Sequence, residues 1–107
     1  MTRHDDERVS DILDAAGQVA MIVAGGETAY REDRVRQLAV ERLLEIIGES
    51  ARAMSDASRD RYPGVPWADI VGLRTLLAHH YHRVDPSQVW VIATESLPEL
   101  ARLLADG

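Results

Sequence analysis

The sequence predicts an all-α protein, an up-and-down bundle of four to five helices. Apolar residues recur at spacings of three and four along most of the chain. Runs that alternate apolar with polar residues are absent, as are the Asn-Gly pairs that often join hairpin strands. Because the chain has 107 residues, we expect one domain spanning 1–107, with a modest core that a partner subunit would extend.

The first helix is predicted by an apolar stripe and by glycines that end it. Gly25 and Gly26 follow the stripe, as glycines commonly do at a helix C-terminus. A short link containing Tyr30 then leads to Asp33, which we expect to N-cap the second helix. We expect Tyr30 to pack across a dimer interface. The stripe consists of Val9, Ile12, Leu13, Ala16, Val19, Ala20 and Val23.

The second helix carries the widest apolar stripe. Val40 and Leu44 form a second apolar strip beside the main one, so this helix is expected to be buried against more than one neighbour. Its acidic residues follow helical spacing, and we interpret them as a solvated face. The main stripe consists of Val35, Leu38, Ala39, Leu43, Ile46, Ile47, Ala51 and Met54, and the acidic residues are Glu41, Glu45 and Glu49.

The third helix follows the loop RYPGVPW, and Pro66 can open its first turn. Its core side is predicted to hold Ile70, Leu73, Leu77 and Tyr81. Trp67 is expected to plug the end of the bundle. Opposite the core, Gly72 would permit close approach of a second subunit.

The fourth helix has a strong start signal in Asp85-Pro86, an N-cap followed by proline at the first helical position. Pro98 is expected to kink or split this helix, because it lacks an N–H and clashes with the preceding turn. Trp90 is expected to pack in the core or in an interface.

Composition excludes several classes of function. The formal net charge of -6 argues against general binding to DNA or to an anionic membrane. The chain has no cysteine, which excludes disulfides and thiolate metal sites. Its longest apolar run, 19–24, is too short to span a bilayer. The polar start does not resemble a signal peptide, so we expect a cytoplasmic protein. A patch of Arg31, Arg34 and Arg36 is interpreted as solvated.

The stretch RTLLAHHYHRVD concentrates the residues that could carry chemistry. On an ideal helix Arg74 and His79 lie about 140° apart around the axis, whereas Arg74 and Tyr81 share a face. Three interpretations stay open. His79 and His82 could share a metal ion. The polar residues could cap a helix C-terminus. A histidine could move a proton while the arginine holds a phosphate, which requires no metal or other cofactor.

The sequence resembles the HEPN superfamily, and within it the HepT-like toxins. Their motif Arg-x4-His-x-Tyr is matched by Arg74, His79 and Tyr81. The segments DILDAAGQVAMIV, AVERLLEIIGESARAMS, YPGVPWADIVGLRTLLAHHYHRVDPSQVW and LPEL are similar to blocks of that family in the same order, over roughly residues 8–104.

This resemblance implies a homodimer whose two motif helices line a shared cleft, and a metal-independent ribonuclease acting on RNA. Arg74 would bind the scissile phosphate, and His79 would be the general acid or base. The resemblance further implies a toxin of a type VII toxin–antitoxin system. Its antitoxin would be an MntA-type nucleotidyltransferase that transfers AMP onto Tyr81.

Three positions depart from the family pattern. Thr75 stands where asparagine or aspartate is frequent, His80 replaces the usual glycine, and His82 replaces an aromatic residue. We expect all three to be auxiliary residues of the cleft, and protonated histidines would add positive charge there. The alternative function is a non-catalytic helical module that binds a nucleotidyltransferase partner.

Overall fold

The computed structural model describes residues 3–79 and 84–106, and within these ranges it contains helices and no strand. The predicted all-α class is therefore confirmed. Three long helices and one composite C-terminal helix make up the bundle, with two short helices at its corners. The long helices are α1 (Arg3–Val23), α3 (Arg34–Ala53) and α5 (Trp67–His79), and the short ones are α2 (Glu27–Arg31) and α4 (Asp56–Asp60).

The composite C-terminal helix contains the break predicted at Pro98. It begins with α6 (Pro86–Val91), passes through a π-helical segment (Ile92–Ser96) and continues as α7 (Leu97–Asp106). Pro98 cannot donate the backbone hydrogen bond that the Thr94 carbonyl would accept in a regular α-helix, which favours a wider turn there. The Thr94 hydroxyl donates to the Trp90 carbonyl at 2.7 Å within this region.

The predicted helix starts are confirmed by their capping hydrogen bonds. The Asp33 carboxylate accepts from the backbone N–H of Val35 at 2.9 Å and from that of Arg36 at 3.3 Å. Asp85 accepts from the Ser87 N–H at 2.9 Å, with Pro86 in the first turn of α6.

Both short helices were absent from the sequence prediction. α2 occupies the segment expected to be a plain link, and its Tyr30 side chain is buried. α4 is N-capped by Ser55, whose hydroxyl oxygen accepts from the backbone N–H of Ser58 at 3.1 Å. Asp5 at the start of α1 accepts from the backbone N–H and the hydroxyl of Ser55, at 3.0 and 2.8 Å, and so fastens α1 to this corner.

The core lies where α3 packs against both α1 and α5, and where α7 closes against α1. Val40 and Leu44 are fully buried, as the wide stripe of α3 predicted. The first turns of that stripe were predicted wrongly. Val35 is 74% exposed and Leu38 is 49% exposed, so this part of the stripe faces solvent among the described residues.

The aromatic residues pack as parts of the fold. Trp67 donates from its indole nitrogen to the Arg59 carbonyl at 3.0 Å and meets Tyr62 edge-on, which confirms its place at the end of the bundle. Trp90 lies against Tyr30 with ring centroids 5.5 Å apart. In the part of the chain that is described, no helix is long and apolar enough to cross a membrane.

Candidate active site

Arg74 projects from the side of α5 that borders α3. The buried face of α5 carries Ile70, Leu73 and Leu77, as predicted, and anchors the helix in the core. The Arg74 side chain is 46% exposed. Its guanidinium therefore keeps its positive charge within reach of solvent, where a phosphate could approach it.

Gly48 sets the distance between α3 and α5 at the level of Arg74. A Cβ built on Gly48 would lie 2.9 Å from the Arg74 nitrogen, 3.2 Å from the Arg74 Cβ and 3.2 Å from the Ile70 carbonyl oxygen. These distances are shorter than normal contacts, so a side chain at position 48 would push the two helices apart. Glycine here allows backbone-to-backbone packing directly below the arginine.

Glu49, the next residue along α3, lies beside the Arg74 guanidinium. Its Oε1 is 3.9 Å from Arg74 Nε, and the Glu49 side chain is 50% exposed. No other carboxylate of the described residues pairs with Arg74. The prediction that Glu41, Glu45 and Glu49 form one solvated face is wrong for Glu41, whose side chain is only 16% exposed. It is incomplete for Glu49, which borders the arginine of the motif. The spacing of Glu49 from its neighbours along α3 did not predict this contact with Arg74.

The outward face of α5 carries two small residues, which lie about 160° and 100° around the helix axis from Arg74. Gly72 and Thr75 are exposed, and a Cβ on Gly72 would meet no atom within 4 Å. Thr75 therefore lies on the surface, and its role as an auxiliary residue of the cleft stays a prediction. This face has room for a second helix to approach closely.

His79 is the last residue of α5, and its side chain lies outside the described part of the structure. The helix continues from Trp67 to His79, which separates Arg74 and His79 by about 140° around the axis and about 7.5 Å along it. The helix is unbroken up to His79, so no local distortion of α5 brings the two residues together. The assignments of His80, Tyr81 and His82 fall outside the described residues.

The arginines of the predicted patch, at the end of α2 and the start of α3, are occupied by local partners. Arg31 donates to Glu27 at 2.8 Å and to the Ser87 hydroxyl at 2.6 Å, which ties α2 to the first turn of α6. The other two form ion pairs, Arg34 with Glu41 at 3.7 Å and Arg36 with Asp33 at 3.3 Å. Each arginine of the predicted patch is therefore already neutralised in part.

Tyr30 is buried inside its own chain, at 1% exposure, which contradicts its predicted place at a dimer interface. Burial, and secondarily the nearby charge of Glu41, raises the pKa of Tyr30 to about 12. Burial also raises the pKa of Glu41, against the opposing effect of Arg34. This corner is a packed structural unit, and its tyrosine is protonated at neutral pH.

A groove of about 360 Å³ lies between α5 and the C-terminal helix, away from Arg74. Its walls are mostly apolar, and its charged residues are the carboxylates Glu95 and Glu99. A groove with this charge does not suit a phosphate. Among the residues that the structure describes, no group of three His, Asp or Glu side chains could hold a metal ion.

Comparison with known proteins identifies relatives along nearly the whole chain. The family model described as "Ribonuclease HepT-like" matches residues 12–106. The chain is 36% identical over 95 residues to "Putative RNase MJ1380" of Methanocaldococcus jannaschii, covering 86% of this chain and 85% of that protein. It is 35% identical over 68 residues to "Probable ribonuclease HepT" of Thermococcus cleftensis, covering 64% of this chain and 62% of that protein. No solved structure matches the chain.

Proposed function

The chain belongs to the HepT-like ribonuclease family, and from this membership we propose that it is a metal-independent endoribonuclease toxin. The observation that carries the proposal is the placement of Arg74: a half-exposed guanidinium at the border of the α5 face that is locked in the core. A rigid support of this kind favours a group that must hold a phosphate in one orientation.

In the proposed reaction, Arg74 binds the scissile phosphate and stabilises the charge that develops on it. His79 accepts the proton from the ribose 2′-OH as this oxygen attacks the phosphorus. The bond from phosphorus to the 5′ oxygen breaks, which leaves a 2′,3′-cyclic phosphate. The departing 5′ oxygen takes a proton from water, and His79 returns the proton it accepted to the solvent. A histidine suits this work because its pKa lies near neutrality. The step requires no metal ion and no organic cofactor.

A homodimer would bring the two residues together. On one copy of α5 they point in directions about 140° apart, so a single helix does not aim both at one phosphate. The exposed face with Gly72 and Thr75 permits close contact with the same face of a second copy. We expect Gly72→Arg to yield a folded monomer that no longer cleaves RNA, as seen by sedimentation and an RNA cleavage assay. A dimeric variant would contradict this arrangement.

Control by an MntA-type nucleotidyltransferase is part of the same proposal. Transfer of AMP to Tyr81 would add a bulky, negatively charged group two residues beyond His79, which would repel RNA. Incubating the protein with such an enzyme and ATP should add the mass of one AMP per chain and stop cleavage. The Tyr81→Phe variant is the control, and modification of that variant would refute this site.

One observation favours a second function, a non-catalytic module that binds the nucleotidyltransferase. Glu49 already pairs with Arg74 and would compete with a phosphate. Thr75 also stands where the family frequently has an amide or a carboxylate. In this alternative the helical surface would serve recognition of the partner alone.

The decisive experiment incubates the purified protein with total RNA in the presence of EDTA. Wild type should cleave, whereas Arg74→Ala and His79→Ala should not. Arg102→Ala is the matched control, because Arg102 is also exposed and also pairs with a glutamate, Glu99 on α7. Cleavage that persists in both site variants would refute the assignment of the site. An inactive wild type would favour the binding module.

A further inference from the structure

We propose that Glu49 is a positioning residue for Arg74, an inference that rests on the proposed ribonuclease function. The Glu49 carboxylate holds the Nε side of the guanidinium, so that its two Nη groups face the RNA phosphate. Glu49 itself need not touch the substrate.

The packing of α3 on α5 makes this contact a consequence of the fold. Gly48 brings the two backbones together at Arg74, with only 2.9 Å available between its ideal Cβ and the Arg74 nitrogen. Because the helices meet at this level, the residue after Gly48 lies beside the guanidinium. The distance of 3.9 Å between Glu49 Oε1 and Arg74 Nε follows from that register.

Because the contact between Glu49 and Arg74 is weak, we infer that it orients the Arg74 side chain. Both side chains are about half exposed, at 50% and 46%, and ion pairs in such surroundings add little to stability. A contact of this strength can still favour one rotamer of a long side chain over the others. An arginine whose Nε side is already held loses less conformational freedom when the phosphate binds. This favours the cleavage step that follows binding.

The same carboxylate is expected to weaken the binding of RNA. It places a negative charge next to the group that receives the phosphate, and like charges disfavour that approach. Loss of the charge in Glu49→Gln should therefore lower kcat and at the same time tighten the binding of RNA. A residue with a purely structural role would not produce this pattern.

Glu45 provides a matched control on the same helix. It lies four residues before Glu49 and pairs with Arg42 at 3.0 Å, an arginine of α3 itself. Glu45→Gln removes the same charge from the same helix without removing a partner of Arg74.

The test compares wild type, Glu49→Gln and Glu45→Gln in cleavage and in binding of a 2′-O-methyl RNA oligonucleotide, which lacks the attacking hydroxyl. For Glu49→Gln we expect kcat to fall by about two- to fivefold, the range that a surface ion pair allows. The Kd of Glu49→Gln for the 2′-O-methyl RNA should decrease. Glu45→Gln should change kcat and Kd less than Glu49→Gln does.

A second readout does not depend on activity. The Arg74 Nε–H signal in nitrogen-15 NMR, assigned by its loss in Arg74→Lys, should exchange faster with water in Glu49→Gln than in wild type. An unchanged signal, or equal effects of Glu45→Gln, would overturn the proposal. If wild type cleaves no RNA but the signal responds to Glu49→Gln, the ribonuclease function fails while the contact between Glu49 and Arg74 is supported.

Discussion

Gly48 lies directly against the backbone of Arg74, with 2.9 Å between the position of an added Cβ and the Arg74 nitrogen. Backbone atoms cannot rotate away as the end of a long side chain can. The arginine of the motif is therefore held by a contact that depends on the absence of a side chain on the neighbouring helix.

Replacing Gly48 with alanine should destabilise the protein by about 1 to 3 kcal/mol, because the added methyl group has no free space. Gly17→Ala, at an exposed position inside α1, is the opposite case, since its Cβ would meet nothing within 4 Å. There the gain in helix propensity should stabilise the fold by up to about 1 kcal/mol. Urea unfolding of both variants measures the difference, and a Gly48→Ala protein as stable as wild type would disprove the packing argument.

The buried carboxylate of Asp5 should contribute strongly to stability. Asp5→Ala leaves the backbone N–H and the hydroxyl of Ser55 without this acceptor, at a cost of about 2 to 3 kcal/mol. The control is Asp14→Ala, an exposed position on the same helix that should change the free energy of unfolding by less than about 0.5 kcal/mol. Equal effects of the two variants would show that the contact between Asp5 and Ser55 is dispensable.

The buried Tyr30 predicts a loss of stability at high pH. Its pKa is about 12 in the folded chain, against an ordinary value of 10.0 that we assume for the unfolded chain. Between these values the unfolded chain releases the proton first, so stability must fall as pH rises. Its contribution is complete below pH 10 and should shrink by about 1 kcal/mol between pH 9 and 11. Unfolding of Tyr30→Phe at both pH values gives the comparison, and an identical pH dependence would contradict the prediction.

His80 and His82 should add positive charge to the RNA site only when protonated. Changing both to glutamine should weaken binding of an RNA oligonucleotide more at pH 6 than at pH 8, because histidine titrates between these values. His4→Gln, at an exposed position near the start of α1, controls for a general change of charge. Equal weakening at both pH values would show that protonation of this pair does not matter.

The sequence predicted features that depend on local chemistry. The caps at Asp33 and Asp85, and the disturbance around Pro98, each follow from groups within a few residues of one another. The short helix α2 follows from a different cause. It spans five residues, too few to be stable alone, and is held by the burial of Tyr30 against Trp90. Such tertiary support leaves no periodic pattern to detect.

The sequence identified the motif residue Arg74 of the site, but it did not identify the residue that lies beside it. Arg74 could be identified from the motif, and its exposed place on α5 agrees with that assignment. Glu49 could not be identified, because its contact depends on how α3 is aligned against α5. One position of helical register decides whether an acidic residue meets solvent or the arginine. That alignment depends on Gly48, whose importance becomes visible only when both helices are in place.

The π-helical turn at Ile92–Ser96 makes the chain one residue longer than a straight helix would need. The buried residues of the composite C-terminal helix are Val89, Ala93, Leu97, Leu100 and Leu104. Deleting one residue at 94–96 would leave the same face in line on an ordinary helix, but it would bring Pro98 into an unbroken helix. The extra residue and the proline thus compensate each other. Deleting the extra residue and replacing Pro98 at the same time should lower the free energy of unfolding less than deleting the extra residue alone.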